Sequence, residues 1–189
     1  MANSDNSIIT GKFRGSLGKE LVFREWEGKT VVAKSPKARS GEPTTAQALI
    51  LEKFQYAARY AKAITKSADQ SLAQAYASAV RPRQNVYARA VEDFMTSPTV
   101  KIIDTRHFKG VAGDKIVVRA IDDFRVTGVQ VAIFAPNGSL LETGDAVQNL
   151  TDIDWTFTAT QANNLPVGSK IKAIATDIPG NEGMLEVTL

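Results

Sequence analysis

The chain has 189 residues, 43% of them hydrophobic and 23% charged, a balance that supports a folded core and excludes wholesale disorder. It contains no cysteine, which excludes disulfides, thiolate zinc sites, iron–sulfur clusters and cysteine nucleophiles. The net charge of +3 is unevenly spread: residues 1–97 carry 15 Lys and Arg against 9 Asp and Glu, residues 98–189 carry 8 against 11, so the two halves are expected to face different partners.

Residues 1–7 are polar, include Asp5 and lead into no apolar run, so they do not read as a secretory signal. No stretch approaches the roughly 18 apolar residues of a membrane span. A soluble chain made in the cytoplasm, with no membrane partner, is the expectation.

Residues 1–43 are predicted to form a glycine-rich, basic β arm and linker. The stretches 19–26 and 29–34 are rich in β-branched and aromatic residues and flank Glu27-Gly28, which predicts a tight hairpin. Such a hairpin is marginally stable alone and needs a cover. Two prolines, Pro36 and Pro43, mark the linker that follows.

Residues 44–97 read as helical. Thr44 and Gln47 form a capping-box signature after Pro43. Leu51, Phe54, Ala58, Ala61 and Ile64 then recur at helical spacing. A second helix is predicted over 71–80, and a third over 83–95 with Val86, Ala90, Val91 and Phe94 on its inner face.

Residues 98–189 read as an all-β domain. Seven strands are predicted, over 99–105, 114–121, 127–135, 140–148, 153–160, 169–176 and 183–189, with turn chemistry between them. Val129, Val131 and Ile133 alternate with Gln130 and Ala132, while Ile153, Trp155 and Phe157 alternate with Asp154, Thr156 and Thr158. One buried and one wet face per strand is what two packed sheets require. The predicted fold class is therefore α+β: a hairpin arm, short helices and a seven-stranded sandwich.

Two stretches carry a resemblance. Residues 165–181, an LPxG turn leading to Ala175-Thr176-Asp177-Ile178-Pro179-Gly180-Asn181, resemble the closing strands of bacterial and phage Ig-like domains, and residues 120–144 resemble their central strands. The resemblance implies an Ig-like fold and names no activity. The N-terminal part is similar to a family of Bacteroidota proteins through Gly15, Gly18, Trp26, Gly28, Lys29, Pro36, Lys37, Pro43, Thr44, Gln47, Lys53 and Phe54. That family supplies no activity either. The order of arm, helices and Ig-like domain resembles phage virion proteins, which implies docking through the N-terminal part and incorporation into a particle.

Residues for chemistry are scarce. His107 is the only histidine, too little for a histidine zinc site or a Ser-His-Asp triad. Asp122-Asp123 could act as an acid–base pair or hold calcium at a sandwich end, but reads as a turn. Asp152 and Asp154 read as a solvated strand face. Gly11, Gly15 and Gly18 precede a strand, so they do not form a phosphate loop. No catalytic residue, cofactor or metal is expected.

The basic arm remains, with Arg14, Lys19, Phe23, Arg24, Trp26, Lys34, Lys37 and Arg39 as interface candidates. It could bind nucleic acid, be an edge hairpin kept soluble by charge, or dock on a protein partner or a second copy with Trp26 as anchor. The last reading gives the expected function, a non-enzymatic assembly protein. An adhesive or carbohydrate-binding role for the sandwich loops is a further alternative.

Overall fold

The computed structural model describes residues 2–3, 13–26, 28–37, 41–150 and 153–189, with residues 2–3 described by their backbone alone. The chain divides into two compact units, Met1–Thr44 and Thr45–Leu189. No helix among the described residues is long and apolar enough to cross a membrane.

The first unit is an antiparallel sheet of β1 (Ala2–Asn3), β2 (Gly15–Leu17), β3 (Leu21–Trp26) and β4 (Lys29–Lys34), in the order β1-β4-β3-β2. The predicted hairpin forms, with Trp26 opposite Lys29. Strand β2 adds to it through a turn that the glycine spacing had concealed. Gly18 and Lys19 take φ of 58° and 59°, and the Glu20 amide donates to the Leu17 carbonyl oxygen at 3.1 Å, the geometry of a type I′ turn. The two outer strands thus supply part of the cover that a lone hairpin lacks. The Phe13 ring meets Phe23 edge-on at 5.7 Å, and Phe23 is buried.

The second unit begins with α1 (Thr45–Lys66), α2 (Ser71–Ser78) and α3 (Val86–Met95). Helix α1 starts directly after Thr44, as its capping signature predicts. The third helix starts three residues later than expected. Arg83 sits at φ 70°, outside helical space, and the Asn85 side chain accepts from the Ala88 amide at 2.8 Å, fixing the N-terminus. Ala61, Ile64, Ala73, Tyr76 and Ala90 form the helical core, with Phe124 packed against it. The predicted stripe on α1 is therefore covered only toward its C-terminal half. Leu51 and Phe54 are exposed, because α3 ends at Met95, whose carbonyl oxygen accepts from Lys53 Nζ at 3.2 Å.

Two four-stranded antiparallel sheets follow. One has the order β5-β6-β10-β9 and the other β12-β11-β7-β8. Their strands are β5 (Thr99–Asp104), β6 (Lys115–Ile121), β7 (Val126–Phe134), β8 (Leu140–Asp145), β9 (Val147–Gln148), β10 (Asp154–Thr158), β11 (Lys170–Asp177) and β12 (Glu182–Thr188). Every predicted segment contains a strand, but the one over 140–148 divides. β8 pairs with β7 and β9 with β10, and the buried Ala146 between them donates its amide to the Val129 carbonyl oxygen at 2.8 Å. Among the described residues this domain has eight strands, seven having been expected, because one segment serves both sheets.

The sheets share one core. Ile116, Val118, Trp155 and Phe157 enter it from one sheet, and Val129, Val131, Ile133, Ile171, Ala173 and Ala175 from the other. Strand β7 alternates as predicted. On β10 the alternation begins at Trp155; Ile153 lies before the strand and is exposed rather than inward. The helices, read from sequence as a part separate from the sheets, belong to the same compact unit as them.

Candidate functional site

A buried polar cluster lies where α3 meets the sheets. On α3 the buried residues are Arg89, Ala90 and Asp93, so two charged side chains occupy the face predicted to be apolar. Asp93 is fully buried and Arg89 is 2% exposed. Charged residues are buried at this level almost only when they are paired.

Arg89 finds its partners on the turn after β6. Its Nη1 donates to Asp123 Oδ2 and its Nη2 to the Asp123 carbonyl oxygen, both at 2.6 Å. Nη1 also reaches Glu92 Oε2 at 3.1 Å. Phe124 stacks on Tyr76 with ring centroids 4.4 Å apart, and the Arg89 guanidinium lies 5.4 Å from its centroid. Burial opposes the Arg89 charge, but Asp123 and Glu92 outweigh it and hold its pKa above the ordinary guanidinium value.

Asp93 is approached from the other side. Tyr76 donates to its Oδ2 at 2.5 Å, and the Tyr60 hydroxyl lies 2.9 Å from that of Tyr76. Burial raises the pKa of both tyrosines. It also pushes the Asp93 carboxyl up, to about 7; the Tyr76 hydrogen bond opposes the rise, and Asp122, Asp123 and Asp177 add to it.

The Asp122-Asp123 pair forms the expected turn, because Asp122 Oδ2 accepts from the Phe124 and Arg125 amides at 3.1 and 3.0 Å. It also meets Asp93, a relation that sequence spacing could not show. The Asp177-to-Asn181 motif contributes the last part. Asn181 Nδ2 donates to Asp177 Oδ2 at 2.7 Å and to the Phe94 and Thr96 carbonyl oxygens at 3.1 Å each. Burial raises the Asp177 pKa, against the hydrogen bonds from Asn181. The residues quoted above as a fold signature thus hold the end of α3.

The interface candidates lie on the first unit. Trp26 is 62% exposed, and Arg24, Lys34 and Lys37 are exposed. Lys19, Lys34 and Lys37 line one shallow depression with Leu21 and Pro36. Arg14 is engaged in an ion pair with Glu25. Phe23 is a correction: it is buried against Phe13 and forms no surface. Arg39 lies outside the described residues, as do Gly11, Glu27 and Asp152. In the second unit His107 is exposed in the loop after β5, and Asp154 accepts from Arg119 Nε at 2.7 Å.

No family model matches the chain, and no curated protein matches it. Among solved structures, an engineered protein is similar over 49% of this chain and 19% of its own, at 26% identity and a TM-score of 0.34. A tetra-tandem repeat from the extending region of a large adhesion protein is similar over 50% of this chain and 23% of its own, at 18% identity and a TM-score of 0.33. The chain thus matches less than a quarter of the length of either structure, and likeness at these scores assigns neither fold nor function.

Proposed function

We infer that the chain is a non-enzymatic assembly protein that docks through its arm and helices and carries an Ig-like sandwich. The observation behind this reading is the uncovered start of α1. Leu49, Ile50, Leu51, Phe54 and Tyr56 are all exposed, Ile50 at 61%. Ile50 and Phe54 continue at helical spacing the stripe that Ala57, Ala61 and Ile64 bury. A helix that extends its apolar face past its own cover suits a helix-in-groove or helix-on-helix contact. Trp26 supplies a second exposed anchor on the arm.

A second copy is the simplest partner. Light scattering on size-separated full-length chain should give an oligomer that Ile50→Asp or Phe54→Asp reduces to monomer. A wild-type chain that stays monomeric at every concentration counts against self-association.

The Ig-like reading draws support from the two antiparallel sheets that share one core. The order of arm, helices and sandwich motivates its most specific form, a virion component of a phage infecting Bacteroidota. Mass spectrometry of purified particles tests that form. A nucleic-acid role for the arm is weakened by the engagement of Arg14 with Glu25 and of Phe13 with Phe23. An adhesive role has one favourable feature, the exposed loop residues Val111, Leu165 and Val167, and a glycan array tests it.

A further inference from the structure

The polar junction between α3 and the sheets holds more carboxyl groups than cations. Asp93 reaches it from α3, Asp122 and Asp123 from the turn between β6 and β7, and Asp177 from the end of β11. Among the described residues Arg89 is the one cation buried there; Arg81 Nη2 stands 4.0 Å from Asp123 Oδ2 and is exposed.

The oxygens of three of these groups converge. One from each of Asp93, Asp122 and Asp123 lies within 4.8 Å of the other two. Two oxygens on opposite sides of a calcium ion, each about 2.4 Å from it, stand at most about 4.8 Å apart. The spacing therefore fits one cation held in common.

Asp93 supplies a separate indication that something belongs there. It comes from a different element, its side chain is fully buried and faces the Asp122-Asp123 turn, and its Oδ1 has no hydrogen-bond partner among the described residues. Tyr76 engages only Oδ2. The same division recurs on the turn. Asp122 uses Oδ2 for the Phe124 and Arg125 amides, Asp123 uses Oδ2 for Arg89, and the Oδ1 of each is buried without a partner. Buried acceptors are nearly always satisfied, and one left over on each of three carboxylates that converge asks for a ligand. Carboxylate oxygens without nitrogen or sulfur donors suit a hard cation. Asp122 also lines an open groove with Phe124 and Arg125, which gives a path from solvent.

We propose that Asp93, Asp122 and Asp123 bind one hard divalent cation of the calcium class, which pins α3 to the turn between β6 and β7. Arg89 then serves the second oxygen of Asp123, and the cation serves the first. The bound ion would offset the surplus negative charge and hold the helices on the sheets. This site is independent of the docking surfaces assigned above.

The test is titration calorimetry of calcium chloride into chelator-treated, full-length chain at neutral pH, paired with thermal melts. One binding event per chain is expected, with Tm rising by roughly 5–10 °C once calcium exceeds Kd about 100-fold. Asp93→Asn and Asp122→Asn should each weaken binding at least about tenfold and shrink the Tm rise. Asp122→Asn keeps an oxygen to accept from the Phe124 and Arg125 amides, so its Tm in chelator reports whether the fold survives. Two results would overturn the proposal. One is no heat and no Tm change up to roughly 10⁻² M calcium, above the weakest sites of this class. The other is a full calcium response retained in both variants, which would place the ion elsewhere.

Discussion

The side-chain amide of Asn181 donates to the carbonyl oxygen of Phe94 at 3.1 Å, across 87 positions of sequence. The turn between the last two strands thereby satisfies carbonyl groups that the end of α3 leaves unpaired. The side-chain amide also donates to Asp177 Oδ2 at 2.7 Å, and the Asn181 backbone N–H donates to Asp177 Oδ1 at 2.6 Å. Helix end, turn and strand end are one hydrogen-bonded unit.

Replacing Asn181 with Ala should therefore loosen the helices from the sheets. The loss leaves the partly buried Phe94 and Thr96 carbonyl oxygens and Asp177 Oδ2 without this donor, while the backbone N–H of residue 181 still serves Asp177 Oδ1, a cost of about 1–3 kcal/mol. Urea denaturation followed by circular dichroism should show a lower midpoint. An unchanged midpoint would mean that water replaces the amide at no cost.

Arg89→Ala should be more damaging than any surface substitution, because it leaves Asp123 without its charge partner inside the junction. Removing one member of a buried pair costs about 3–5 kcal/mol. Arg89→Met with Asp123→Asn, which removes the charges together, should cost clearly less than the sum of the two single changes. A double-mutant cycle in denaturant measures that coupling.

The raised pKa of Asp93 gives a pH dependence of defined sign. Its folded value, about 7, lies above the unfolded carboxyl value of about 4. Protonation therefore favours the folded state. This contribution is fully present below about pH 4 and is lost as pH rises toward about 7. Asp104, Asp114 and Asp154 are shifted the opposite way, by Arg106, by the Val111 and Lys109 amides and by Arg119 respectively, so the total profile mixes both signs. Comparison with Asp93→Asn in chelator isolates the group. Wild type should lose stability relative to the variant between pH 4 and 7, then run parallel to it, in chemical denaturation at each pH.

Two glycines allow close backbone contact. Gly110 has φ +91°, and a Cβ there would overlap the carbonyl oxygen of Asn163, whose amide donates to the Gly110 carbonyl oxygen at 2.9 Å. At Gly183 a Cβ would overlap the Pro98 carbonyl oxygen, where the chain enters β5. Alanine at either position should destabilise by about 1–3 kcal/mol, through left-handed strain plus overlap at 110 and overlap alone at 183. Gly113→Ala is the control for φ without crowding, since its φ is +98° with open space around it. Thermal melts should rank Gly110→Ala below Gly113→Ala.

The amino-acid sequence by itself determined where the strands of residues 98–189 fall, the hairpin around Gly28 and the start of α1. These follow from local rules: alternation on Val129, Val131 and Ile133, turn residues between runs, and the capping pair Thr44 and Gln47 after Pro43. Strand β2 escaped because Gly15 and Gly18 look like breaks in a pattern, whereas Gly15 lies in the strand and Gly18 in the turn that follows it. The passage of one segment between sheets at Ala146 escaped because only the pairing partners change there, from β7 to β10. The junction was closed to local reasoning. Charged side chains on a helix are ordinarily solvated, and the burial of Arg89 and Asp93 depends on Asp123 and Tyr76, separated from them by 34 and 17 positions. Asp122-Asp123 is a turn by its own chemistry, and the calcium reading that the pair invites gains a third carboxylate only once α3 brings Asp93 to it. Local propensity fixes which backbone forms, whereas buried charge is decided by which groups the fold brings within reach of one another.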